Sequence, residues 1–286
     1  MKTILYATDY SENSVAALKY AYSLSTAIRA TLKVVHVFDY PTMLDGLSLK
    51  PEEVFPDIEG DAFKKHYSKL TDFCKEHLST DPDKINVKVE PIEDKSVVNG
   101  IVSKAKEIDA ILIVTGMKGL SSLKEVIMGN TIKHLIERSP CPVLSIPKDA
   151  SHTQIKTIVY ATDFEEEDLG AIDKLIEIAE PLNAKIKLVH ISPLKEKVGI
   201  EQKKNKIQKY VEYPNLELDV IYSDDVFNDL KIYLDKANAD LIAMLERESK
   251  SLSSEIFHRD FVKRMESYGK IPLMIFNAKN YGIFHL

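Results

Sequence analysis

Short apolar runs alternate along this chain with longer stretches whose apolar residues recur every three or four positions. In the N-terminal half the runs predict strands over 3–7, 32–37, 86–92, 111–115 and 143–146, because short segments with little internal polarity suit strands covered on both faces. Between them, Val15, Leu18, Ala21 and Tyr22 fall at helical spacing in "SVAALKYAYSLSTAI". Phe63, Tyr67, Leu70, Phe73 and Leu78 do so in "DAFKKHYSKLTDFCKEHL". Alternation of buried strand and amphipathic helix is the βαβ pattern, and right-handed crossovers wind it into an open, mostly parallel sheet with helices on both faces.

The pattern is written twice. "ILYATDYSENS" from Ile4 recurs as "IVYATDFEEED" from Ile158. Asp9 and His36 are 27 residues apart, as are Asp163 and His190. "DAILIVTG" from Asp109 resembles "DLIAMLE" from Asp240, and "PVLSI" from Pro142 resembles "PLMIF" from Pro272. So long a repeat implies a duplicated globular unit, since solenoid periods are roughly 20–50 residues. The expected fold is therefore α/β, two tandem doubly wound five-stranded sheets, with domains at 1–147 and 155–286 and the polar segment 147–154 as linker. Asp9 to Asp109 spans 100 residues but Asp163 to Asp240 only 77, so the second copy is expected to be about a helix shorter there.

Composition narrows the function classes. Lys and Arg number 38 against 44 Asp and Glu, a net charge of -6, which gives no field to collect nucleic acid or an anionic membrane. There is no long apolar run, and "MKTILYATDYSENS" turns polar too early for a signal peptide; a cytoplasmic location is expected. Cys74 and Cys141 are too few for a disulfide framework, and Cys141 reads as a small buried hydrophobe. Cys74, His77 and His66 lack the second ligand pair a zinc site needs, so no metal site is assigned. With no G-x-S-x-G elbow, no catalytic residue is assigned. His36 and His190 read as packing residues.

In an open parallel sheet, ligands bind beyond the carboxyl ends of the strands where the strand order reverses. Asp9 follows the first strand, "HVFD" ends the second, and "TGMKGLSSLKEVIMGNT", Thr115 to Thr131, follows the fourth. The last holds Gly116, Gly119 and Gly129 with spacing G-x2-G-x9-G-N-T, which matches neither the P-loop nor the dinucleotide fingerprint. Gly116 and Gly119 allow a nest of main-chain N–H groups for an anion, and Asn130 or Thr131 reads as a helix N-cap beside phosphate. A long turn with an ordinary cap is the alternative from spacing alone.

Together "ILYATDYSE", "HVFD", "TGMKG", "GNT" and "CPVLSIP" resemble the universal stress protein family, over nearly the whole chain as a tandem pair. The resemblance implies an adenine-nucleotide site in the first half, on an adenine nucleotide alpha hydrolase-like fold. Ala7, Thr8 and Asp9 would line the nucleoside side and the backbone of Val37 would meet the adenine edge. Gly116, Gly119 and Gly129 would hold ribose and phosphates, with Thr115, Met117, Lys118, Asn130 and Thr131 completing the loop. The family's motif continues with Ser or Thr after the last glycine, whereas Asn130 stands there. It also implies that the fifth strands, "PVLSI" and "PLMIF", face each other at the sheet edges, pairing the domains within one chain, with homodimerisation left open.

The second half has no glycine between Gly199 and Gly269, so side chains stand where a nest needs bare backbone. Asp163 then reads as a landmark of the repeat, and Arg247, Lys250, His258, Arg259, Lys263 and Arg264 as a solvated basic face. The expectation is a cytoplasmic stress-response regulator binding ATP or a related adenine nucleotide, with Mg as an optional companion. The alternatives are a scaffold with a vestigial site and a weak ATPase.

Overall fold

The computed structural model describes residues 2–39, 58–117, 130–150, 154–192, 199–247 and 259–281. In the first half β1 (Thr3–Ala7), α1 (Glu12–Ala27), β2 (Thr31–Phe38), α2 (Ile58–Leu78), β3 (Val87–Glu93), α3 (Val97–Glu107), β4 (Leu112–Gly116), α4 (Asn130–Arg138) and β5 (Val143–Ile146) follow one another. The second half repeats the order with β6 (Thr157–Ala161), α5 (Glu166–Leu182), β7 (Lys185–Ser192), α6 (Ile200–Tyr210), β8 (Leu216–Tyr222), α7 (Val226–Ala237), β9 (Leu241–Glu246), α8 (Arg259–Tyr268) and β10 (Leu273–Asn277). Between β7 and β8 a helix is kept after all. The shortening falls on its length, 11 residues in α6 against 21 in α2, and on the connection before it.

Local chemistry sets several boundaries. Ser11, Ser96 and Asp225 cap α1, α3 and α7 by accepting main-chain N–H bonds of the first turn. Asn183 and Asn238 end α5 and α7 in the left-handed region, which asparagine tolerates better than most residues.

The strands form one ten-stranded sheet in the order β3-β2-β1-β4-β5-β10-β9-β6-β7-β8. Within each half every pairing is parallel; the halves meet where β5 and β10 run antiparallel, with Leu144 opposite Met274. Alternate residues of each strand point to opposite faces. Ile4, Tyr6, Leu112 and Val114 join the core under α1, α2, α5 and α6. Leu5, Ile113, Val143 and Ile275 join the core under α3, α4, α7 and α8. Both faces are covered, which explains the unbroken apolar runs. The outer strands β3 and β8 carry Glu90 and Glu217, each bridged by two lysines, a charged edge that discourages further pairing.

Candidate functional site

The strand order reverses between β1 and β4 in the first half and between β6 and β9 in the second. In open α/β sheets, ligand crevices lie beyond the carboxyl ends of the strands at such a reversal. The repeated "ATDY" and "ATDF" build the same turn in both halves. Thr8 closes the β1 ladder by donating its N–H to the Val35 carbonyl (2.9 Å), and its hydroxyl accepts from the N–H of Tyr10 (3.0 Å). Thr162 does the same with Val189 (3.0 Å) and Phe164 (2.9 Å). Tyr10 and Phe164 take φ of 63° and 60°, uncommon for bulky side chains. A tilted ring contact supports each, Tyr10 against His36 with centroids 4.4 Å apart and Phe164 against His190 at 4.5 Å.

Beyond this turn the two crevices diverge. Asp9 is exposed, and its Oδ1 accepts from the Ser11 N–H (3.0 Å) and the Ser14 hydroxyl (2.5 Å). Burial raises its pKa, but the hydrogen bonds from Ser11 and Ser14 outweigh that and hold the carboxyl below its ordinary range. Because Val35 turns its carbonyl toward β1 and main-chain groups alternate sides along a strand, the N–H and C=O of Val37 point to the same side, past the last β1 rung. Gly116 ends β4. A Cβ there would come within 2.9 Å of the Asn13 main chain, so the glycine lets the first turn of α1 close over the strand.

The sequence-predicted residues are thus brought together unevenly. Ala7, Asp9, Val37 and Gly116 stand at the carboxyl ends of β1, β2 and β4, and Thr115 is buried with a hydroxyl that has no partner among the described residues. Thr8 is committed to the turn. Met117 is 3% exposed, packs in the core and gives its N–H to the Ile146 carbonyl (2.7 Å), so neither group serves a nest. Gly116 does not take a positive φ either. Lys118, Gly119 and Gly129 lie outside the described residues, Asn130 opens α4, and Thr131 sits half-buried in its first turn. Among the described residues no group of three His, Cys, Asp or Glu side chains is arranged to hold a metal ion, and no helix is long and apolar enough to cross a membrane.

In the second half Asp163 is 8% exposed and faces Arg247, whose Nη1 lies 3.0 Å from Asp163 Oδ2 and whose Nη2 lies 3.1 Å from Asp168 Oδ2. Arg247 is therefore no part of a solvated basic face, as the sequence suggested; two carboxylates hold it inside. Lys250 and His258 lie outside the described residues, and Arg264 rests its guanidinium 4.0 Å over the Phe227 ring. The repeat itself carried the missed signal. Extending the matching registers of β1 with β4 and β6 with β9 places Leu245 where Gly116 stands, and Asp168 takes the position of Ser14; Arg247 corresponds in sequence to Lys118, which lies outside the described residues.

Comparison with known proteins agrees with this duplicated architecture. The universal stress protein family model matches residues 1–147. The universal stress protein YxiE of Bacillus subtilis is 30% identical over 150 residues, covering 50% of this chain and 97% of the relative. A universal stress protein of Methanocaldococcus jannaschii is 26% identical over 163 residues, covering 52% and 97%. Among solved structures, a universal stress protein from Archaeoglobus fulgidus superposes with a TM-score of 0.68 over 96% of this chain and 98% of its own, at 16% identity, a likeness of fold. Since the family model spans just over half of its length, and its curated relatives match it over one such unit, the chain belongs to the universal stress protein family.

Proposed function

We propose that this protein is a cytoplasmic stress-response regulator that binds one adenine nucleotide, ATP or a relative, in the first-half crevice. Residues 1–147 form the binding domain and residues 155–286 a companion domain that binds none. The observation that carries this reading is the exposed Asp9 carboxylate, held by Ser11 and Ser14 in the turn after β1, at the strand reversal where α/β sheets take ligands.

The residues present suit such a ligand. Held ionised by Ser11 and Ser14, Asp9 is an acceptor for ribose hydroxyls. The Val37 main chain, past the last rung to β1, offers a donor and an acceptor to a purine edge. Thr115 adds a hydroxyl that has no partner among the described residues. Gly119 and Gly129, with Lys118, Asn130 and Thr131, complete the proposal on the phosphate side. A divalent cation bound with the phosphates would neutralise their charge, and Asp9 is the carboxylate placed to share it. The chain's residues bind and orient in this reading; no described side chain is assigned the role of a base, and turnover is not required of it.

The test is direct. Small molecules released from freshly purified full-length protein are identified by mass spectrometry, and ATP is titrated calorimetrically into nucleotide-free protein. One adenine nucleotide per chain is expected, with Asp9→Ala weakening binding about 10- to 100-fold, or about 1.4–2.7 kcal/mol. If no nucleotide co-purifies and ATP does not bind, the scaffold reading replaces this one. Steady-state ADP release, lost in Asp9→Ala, would make the protein a slow ATPase.

A further inference from the structure

We infer that the second-half crevice is a closed cation site whose occupant is the chain's own Arg247, a clasp that ties the end of β9 to the β6 turn and the first turn of α5. The contrast with an open first half rests on the nucleotide reading; the clasp does not.

The geometry is that of a built site. Asp168 is fully buried and collects the Tyr160 hydroxyl at Oδ1 (2.7 Å) and the Thr162 hydroxyl (2.9 Å) and Glu165 N–H (3.0 Å) at Oδ2. Arg247 then spans from this anchored oxygen to Asp163, its Nη1 hydrogen-bonded to Asp163 and its Nη2 at ion-pair distance from Asp168 without hydrogen-bond geometry. Its planar fork suits that task, where an ammonium offers a single point of charge. Lys203 and Glu165 pair at the rim (3.0 Å), and His190 holds the floor by donating from Nδ1 to the Thr162 carbonyl (2.8 Å).

Comparison of the halves shows what the clasp replaces. In the first half the Tyr6 hydroxyl reaches the Ser14 main-chain carbonyl (2.5 Å), because the start of α1 lies against Gly116. In the second half Leu245 fills the matching space, 2% exposed, and Tyr160 reaches only the longer side chain of Asp168. Two carboxylates now line the pocket, which repels phosphate and selects a cation. An unpaired buried charge is strongly unfavourable, so Arg247 and the two acids stand or fall together.

The experiment uses the full chain. Arg247→Ala is expected to lower Tm by about 5–10 °C, and 10 mM methylguanidinium chloride should recover at least a third of that loss in the variant. The same concentration of sodium chloride should not, and wild type should not respond. Should Arg247→Ala fail to fold, Arg247→Ala/Asp163→Asn is compared with it, and the double variant should express and melt cooperatively because one uncompensated charge is gone. An unchanged Tm in Arg247→Ala, recovery no greater with methylguanidinium than with sodium, or a double variant no better than the single would each overturn the clasp. These thermal readouts need no nucleotide, so they separate failure of the clasp from failure of the first-half site. ATP binding gained by the second half of Arg247→Ala, read as a second site per chain that survives Asp9→Ala, would also overturn it, since two carboxylates should exclude phosphate.

Discussion

The imidazole of His36 donates from Nδ1 to the carbonyl oxygen of Thr8 at 2.8 Å, and the same bond joins His190 to Thr162 at the same distance. Each ring also covers the left-handed aromatic two residues beyond the threonine. One side chain therefore satisfies a main-chain acceptor at the end of a strand and supports the left-handed aromatic that follows the aspartate. The 27-residue spacing kept in both copies reflects this contact, even where the ligand chemistry has diverged.

Replacing His190 with Phe keeps a ring to pack against Phe164 but leaves the Thr162 carbonyl without its donor. A buried acceptor so orphaned costs about 1–3 kcal/mol. Urea unfolding should show stability lowered by that amount, as a lower midpoint with an unchanged slope. His190→Phe as stable as wild type would mean the bond contributes nothing beyond ring packing.

Much of this could be read from the chain and some could not. Strands buried on both faces announce themselves as apolar runs, and the duplication locates them twice, so "ILYATD" and "IVYATD" sufficed to place β1 and β6. The Arg247 clasp was hidden because "LERESK" looks like solvated charge, and its partner Asp163 is 84 residues away in sequence. Gly116 was legible as a special position but for a different reason than its conformational freedom suggests. Its missing side chain makes room for a helix, and it takes no positive φ.

Glu266 on α8 is 7% exposed and one carboxyl oxygen has no partner among the described residues. Ile136 stands at the matching distance before the fifth strand of the first half. Burial pushes the Glu266 carboxyl up to about 7. The folded protein then holds this proton more tightly than the unfolded chain, so stability falls as pH rises from about 4 to about 7. Glu266→Gln removes the effect. Its stability relative to wild type should grow by about 2–4 kcal/mol between pH 4 and pH 8, measured by denaturant unfolding at each pH. A constant difference across that range would show that Glu266 is charged and partnered in solution.

The last prediction concerns the joint between the halves. The final carbonyls of an α-helix lack partners within the helix, and for α4 the second half supplies them. Asn277 Nδ2 donates to the carbonyls of Ile136 (2.9 Å) and Glu137 (3.0 Å), and Asn280 Nδ2 donates to that of Ser139 (2.8 Å). Asn277 is 8% exposed, so water is a poor substitute when its amide is removed. Pro147, its counterpart beyond β5, has no side-chain donor, so this capping across the joint runs in one direction. Asn277→Ala should cost about 1–3 kcal/mol, and the loss should fall on the first half, whose helix is left uncapped. Hydrogen exchange followed by mass spectrometry is the discriminating measurement. Amides of α4 should exchange faster in Asn277→Ala while those of α8 keep their protection. Equal loosening of both helices would mean that Asn277 acts through the β5 to β10 ladder, and an unprotected α4 already in wild type would remove the cap from the argument.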